Sequence, residues 1–176
     1  QDTMPDVRGP EGLEPEIETA RRFADHLPPG IREKILCDKP IEVRVIDPIN
    51  PLKPDRRPPE RYIWLRAISA LPDEMAVHQY LLAYASDFNL IGTSLYPHGT
   101  SFWQPQMQVA SLDHALWFHR DFRMDGWLLY CMQSPSAARA RGLTIGRIFT
   151  RDGRLVATAA QEGLIRCREI QPEKNG

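Results

Sequence analysis

The sequence predicts an α+β fold in which a curved antiparallel sheet wraps one long central helix. Three observations carry that prediction. Apolar residues between Pro72 and Phe88 recur at helical spacing, whereas those on either side follow the two-residue period of strands. Four strand-like runs follow the helix in succession, and Asp152-Gly153, between the last two, is a strong hairpin signal. Eleven of the sixteen prolines precede residue 60, so an irregular leader gives way to a regular remainder near Arg61.

Within the leader, residues 15–27 read as a short helix, with Ile17, Ala20, Phe23, Ala24 and Leu27 on one stripe and Pro28-Pro29 stopping it. Residues 41–46 alternate apolar and polar, as a half-buried strand does, and 47–59 is a proline-punctuated loop. A second strand over 61–70 places Tyr62, Trp64, Arg66 and Ile68 on one face and Ile63, Leu65 and Ala67 on the other. Pro72-Asp73-Glu74 starts the central helix, with carboxylates at the positive end of its dipole and Val77, Tyr80, Leu81, Tyr84, Ala85 and Phe88 as its apolar positions. The later strands fall over 106–119, 127–134, 139–150 and 154–168. The expected organisation is an approach segment 1–60, a sheet-and-helix domain 61–170 and a tail 171–176.

At 176 residues, 42% hydrophobic and 26% charged, the chain can bury one sizeable core. A net charge of -1 exerts no global pull on nucleic acid, and no such partner is expected. No Lys or Arg lies between Ala67 and His119, yet nine arginines from Arg120 to Arg168 crowd the last third. They read either as a local basic patch or, more commonly for such runs, as a solvated face. Cys37, Cys131 and Cys167 have no metal-type spacing and are odd in number, which argues against a disulfide framework or zinc site and for a reducing, cytoplasmic compartment. No stretch approaches the roughly 18 apolar residues of a membrane helix. The polar, acidic start is unlike a signal peptide, and the last residues are not a Ser-Lys-Leu peroxisomal address, so a soluble, unexported protein is expected.

The last hairpin, Gly146-Arg-Ile-Phe-Thr-Arg-Asp-Gly-Arg-Leu-Val-Ala-Thr158, is similar to the signature hairpin of hotdog proteins. Four blocks make the resemblance specific: Val77-His-Gln-Tyr-Leu-Leu-Ala-Tyr-Ala-Ser-Asp-Phe-Asn89, Gln108-Val-Ala-Ser-Leu-Asp-His-Ala-Leu-Trp-Phe-His-Arg120, Trp127-Leu-Leu-Tyr130 and Ala159-Ala-Gln-Glu-Gly163. In order and spacing these resemble the acyl-CoA thioesterase II family, and the likeness extends back through Leu27-Pro-Pro and Cys37-Asp-Lys-Pro-Ile-Glu-Val-Arg44. The resemblance implies the C-terminal half of a double-hotdog thioesterase and hydrolysis of acyl-CoA to fatty acid and coenzyme A, with no metal or cofactor. It also implies a partner, a second hotdog unit supplied as an N-terminal half or by homo-oligomerisation. The family's site residues fall on Asp87, Ser111 and Gln161, and Ser111 departs from the usual threonine.

Thioester hydrolysis needs a water, a group to deprotonate it and donors for the developing oxyanion. Asp87 offers the base, and partial desolvation by Leu81, Tyr84 and Phe88 would make it a stronger one. Ser111 and Gln161 each donate and accept, and so can hold the water. Ser111 is expected on the strand face opposite Leu112, Leu116 and Phe118, where it and Gln161 also read as ordinary cross-strand hydrogen-bonders. His114 and His119 have opposite parity on a regular strand and cannot share a metal ion, which leaves Asp113, His114 and His119 structural roles. His78 and His98 are isolated packing or loop residues. No GxSxG elbow is present. Cys131 reads as a buried small hydrophobe, and Trp103, Trp117 and Trp127 as core or acyl-pocket residues. For the coenzyme's phosphates the nearest cations are Arg120, Arg123, Arg139 and Arg141. Two rivals remain: another hotdog activity such as hydration of an enoyl thioester, and an acyl-CoA-binding or assembly half that is inactive without its second unit.

Overall fold

Alternating burial sets the first strands. In the computed structural model, which describes residues 2–26, 32–33 and 36–168, Ile41, Val43 and Val45 are buried and Ile41–Val45 forms β1. It pairs antiparallel with β2, Glu60–Ala67, Val43 facing Leu65. Upstream, α1 spans Glu16–Phe23, with Glu16 and Glu18 in its first turn and Arg21 and Arg22 in its last, the order that suits the helix dipole. A 3₁₀ turn, Ala24–His26, continues it; Ala20 and Ala24 are the buried members of the expected stripe. Leu27, the Pro28-Pro29 stop and the tail 171–176 lie outside the described residues.

After β2 come the central helix α2, Met75–Ser86, a 3₁₀ segment, Ile91–His98, and five strands: β3, Met107–Ser111; β4, Ala115–Phe118; β5, Leu128–Ala138; β6, Arg141–Thr150; and β7, Leu155–Cys167. All pairings are antiparallel. The order is β1-β2-β5-β6-β7-β3, and β4 pairs with the other end of the β7 edge that β3 occupies. The sheet curls around α2, burying Leu82 and Ala85 against Ile63, Leu65, Tyr130 and Ile148. The expected curved sheet around one helix is therefore present, with two refinements. The run expected as one strand over 106–119 is two strands with a break at 112–114. Arg139-Ala140 is not part of β6 but a two-residue turn, both residues at positive φ (52° and 59°), a geometry usually signalled by Asn-Gly and so invisible in this pair. The Asp152-Gly153 turn is as expected, Gly153 taking φ 88°.

The buried face of α2 differs from the expected stripe. His78, Leu82, Ala85 and Ser86 face the sheet, while Tyr80 and Tyr84 stand 74% and 50% exposed. The helix is apolar nearly all round, so periodicity shows that it is a helix without choosing which side meets the sheet. One apolar side is left uncovered.

The convex face of the sheet is covered by the leader. Trp64, Leu129, Cys131 and Phe149 form a second buried cluster under Met4, Val7 and Leu13, and the Trp64 indole donates to the carbonyl of Arg8 at 2.8 Å. The described residues before β2 thus supply β1 to the sheet and a cap to part of its outer side. Burial pushes the Cys131 thiol up to about 12, in keeping with a packing role.

Two features tie α2 to the sheet. Tyr130 lies under the helix and donates to the carbonyl of Ser86 at 2.8 Å, and its ring fits because Gly146, diagonally across on β6, has no side chain. At the helix entry, Asp125 accepts from the Leu71 N–H at 3.0 Å and from Arg123 at 2.9 Å, while Arg123 also bonds Asp73 and the Leu71 carbonyl.

Gly146→Ala is expected to destabilise the protein by about 1–3 kcal/mol, since a Cβ would stand 2.1 Å from the Tyr130 ring; urea unfolding measures it. Asp125 gives a pH test. Arg123, and next the Leu71 N–H, hold its carboxyl well below the usual range, so its contribution is complete above the unfolded value of about 4 and is lost as pH falls below it. Asp125→Asn should therefore lower Tm at pH 7 more than at pH 3.

Candidate active site

Asp87 terminates α2, where the helical backbone ends and Asn89 takes a left-handed turn (φ 66°) into the 3₁₀ segment. Gln161 comes from the middle of β7, opposite Thr144, with its side chain on the helix-facing side and 1% exposed. Ser111 closes β3, opposite Gly163.

The break between β3 and β4 decides what else faces the site. Ser111 pairs with Gly163 and Ala115 with Ala160, so three residues on one strand oppose two on the other, which is a β-bulge. The N–H groups of Leu112 and Asp113 both donate to the Glu162 carbonyl, at 3.0 and 3.3 Å, and the Asp113 carboxylate accepts the Glu162 N–H at 2.7 Å. An extra residue reverses the alternation beyond it. Ser111 and Leu116 therefore share the helix-facing side, Leu116 packing on the core, where a regular strand would set them on opposite faces. His114 joins the same side.

Five polar side chains meet there. Asp87 Oδ1 accepts from Ser111 Oγ at 3.2 Å and from Gln161 Nε2 through a short contact. Gln161 Nε2 also lies 3.3 Å from His114 Nδ1. His114 Nε2 is 2.8 Å from Ser86 Oγ, which donates to the Ala83 carbonyl at 2.9 Å. Gln161 Oε1 is buried without a hydrogen-bond partner among the described residues. The three residues predicted from the sequence are thus brought together, and the structure adds His114 and Ser86. Strand parity concealed His114; an Asp within a strand run, a residue depleted in strands, was the signal of the bulge. Leu81, Tyr84 and Phe88 do not cover Asp87, whose side chain is exposed along with Ser111 and His114.

The other candidates disperse. His119 bonds Thr158 at 2.9 Å on the face away from α2, so it and His114 do point to opposite sides. Asp113 anchors the bulge. His78 is buried and accepts the Met124 N–H at 3.0 Å, and His98 is exposed. Trp103 lines a cavity of about 160 Å³ with Leu13, Ala20, Val45, Leu95 and Phe102; Trp117 is exposed; Trp127 lies under the guanidinium groups of Arg44 and Arg66. The four arginines do not cluster. Arg120 bonds the Leu155 carbonyl and Arg123 is held by Asp73 and Asp125, whereas Arg139 and Arg141 sit at the opposite end of the β6–β7 ladder, roughly 27 Å along the strands. Arg141 pairs with Glu162 at 3.5 Å on the outer face.

Comparison with known proteins adds relatives. Residues 31–164 match the acyl-CoA thioesterase family. The chain is 42% identical over 169 residues to acyl-CoA thioesterase 2 of Haemophilus influenzae, covering 96% of this chain and 59% of that protein. The crystal structure of an acyl-CoA thioesterase II, TesB2, from Mycobacterium marinum superposes with a TM-score of 0.71 at 38% identity, over 96% of this chain and 57% of that one. A protein of unknown function with a hot dog fold from Alicyclobacillus acidocaldarius superposes at 0.63 with 16% identity, over 96% of this chain and 56% of that one, a likeness of fold alone. The chain spans little more than half the length of these relatives.

Asp113→Ala should leave the Glu162 N–H without its acceptor, at a cost of about 1 kcal/mol, and speed hydrogen exchange at Glu162 while the β6 amides keep their protection; NMR exchange rates check it.

Proposed function

The chain belongs to the acyl-CoA thioesterase family, and on that premise we propose that it hydrolyses acyl-CoA thioesters to free fatty acid and coenzyme A by direct attack of water. The observation that supports this most is the convergence of Ser111 and Gln161 on one oxygen of Asp87. With Oδ1 occupied by two donors, Oδ2 is left to accept a proton from water. As the water oxygen bonds the thioester carbon, Asp87 takes its proton; as the C–S bond breaks, Asp87 returns that proton to the departing thiolate. No covalent acyl-enzyme is needed. Ser111, one methyl short of threonine, keeps the hydroxyl but loses a restriction on its rotamer.

A second hotdog unit belongs to this reading. Asp87, Ser111 and His114 are exposed, and so are Tyr80 and Tyr84 on the helix that carries Asp87 and Leu112 next to Ser111, each at least half exposed. Such a patch next to the outer edge of β3 and β4 suits a partner that continues the sheet and packs on α2. The partner would exclude water from Asp87 and so strengthen its electrostatics. An N-terminal half or a second copy meets that need. The same exposure supports the alternative, an acyl-CoA-binding or assembly half that is inactive alone. For the phosphates of the coenzyme, Arg139 and Arg141 stand nearest in register to Ser111, and Arg120 and Arg123 are the remote pair. A cytoplasmic setting completes the proposal, in keeping with three cysteines that are odd in number and without paired spacing.

Asp87→Asn should lower kcat by roughly a hundredfold or more with an unchanged Tm, because an exposed carboxylate is replaced by its isostere; undiminished turnover would refute the base assignment. Solution mass and turnover, measured with and without a supplied first-half unit, test the partner. Full activity as a strict monomer contradicts it.

A further inference from the structure

The contacts around Gln161 form a chain whose direction is set at one end. The Ala83 carbonyl can only accept, so Ser86 Oγ spends its single hydrogen there, at 2.9 Å. Ser86 Oγ then faces His114 Nε2, 2.8 Å away, as an acceptor, and Nε2 must carry the ring proton. Neutral imidazole with a protonated Nε2 has a bare Nδ1, which accepts from Gln161 Nε2 at 3.3 Å. The remaining amide hydrogen goes to Asp87 Oδ1. A side-chain amide flips easily unless its surroundings tell its two ends apart, and here both neighbours are acceptors. A flipped amide would set Oε1 against a carboxylate oxygen and a ring lone pair.

The buried Oε1 of Gln161, which lacks a partner among the described residues, shows which demand prevails. The amide is oriented by Asp87 and His114, not by satisfying its own oxygen. From this geometry we infer that His114 is a positioning residue, whose bare Nδ1 holds the Gln161 amide so that it donates to Asp87. The inference rests on the thioesterase reading above. It assigns a role to a residue that does not touch the reacting atoms, and it explains why the bulge matters. On a regular strand Ser111 and His114, three residues apart, would point to opposite faces; the extra residue at 112–114 brings both to the helix-facing side. Ser86, buried and anchored on α2, makes the helix the reference against which the ring is set.

The test uses the full chain, assayed on a long-chain acyl-CoA with a supplied first-half unit, and ¹⁵N-histidine NMR on the chain by itself. His114→Leu should lower kcat roughly tenfold to a hundredfold, the scale of a slightly misplaced reacting group, with KM and Tm unchanged. His114→Asn, whose Oδ1 can stand near the position of Nδ1, should restore most of the loss. The ring should be the Nε2–H tautomer, and Gln161→Leu should shift its Nδ1 resonance. Undiminished kcat in His114→Leu, a loss that His114→Asn does not restore, or an Nδ1–H tautomer would each overturn the inference. Failure of the unaltered protein to turn over any acyl-CoA would instead sink the thioesterase reading, and the ring spectrum would still decide the His114–Gln161 contact.

Discussion

The bulge between β3 and β4 is the constraint on which the candidate site depends. One extra residue reverses side-chain alternation, and the Asp113 carboxylate holds that irregularity by taking the Glu162 N–H that the interrupted ladder would otherwise strand. Ser111, before the bulge, and His114, after it, thereby face the same side as Gln161. Backbone hydrogen bonding, one residue removed from the chemistry, assembles the polar cluster. Asp113 matters through geometry, although its type suggested a ligand.

The sheet gives this cluster a fixed floor. Tyr130 reaches the end of α2 through the space left by Gly146, so the helix terminus carrying Ser86 and Asp87 is set against β5 and β6. At the other end of the helix, Arg123 and Asp125 pin the entry to Leu71 and Asp73. Both ends of α2 are therefore anchored before any substrate contact is considered. The leader serves the opposite face, where it covers Trp64 and Phe149 and keeps that part of the sheet out of water.

What remains uncovered is as informative as what is packed. Tyr80 and Tyr84 on α2 and Leu112 next to Ser111 are apolar side chains that a single unit does not bury. The proposed base, Asp87, ends the same helix. Burial of these rings by a second unit and desolvation of Asp87 would be one event, which links assembly to activity in the reading advanced above.

Sequence pattern was informative wherever local periodicity and packing agree. The alternation of Ile41, Val43 and Val45, the helical run into Phe88 and the Asp152-Gly153 turn each state a local preference that the fold keeps. Motif blocks pointed to Asp87, Ser111 and Gln161 because residue type and order survive without coordinates. Three features were beyond reach for one reason: each depends on what lies across space. The face of α2 that packs was ambiguous because both sides are apolar. The Arg139-Ala140 turn is dictated by the strands it joins, and its residues do not ask for it. The placement of His114 follows from a hydrogen bond between Asp113 and a residue 49 positions away. By itself the sequence determined the fold class and the helix, which rest on periodicity, while the resemblance carried by its motif blocks named the candidate residues. Only the tertiary structure decided that His114 joins Ser111 on the side of Gln161, because alternation counts residues along one strand, whereas a bulge is defined by its partner.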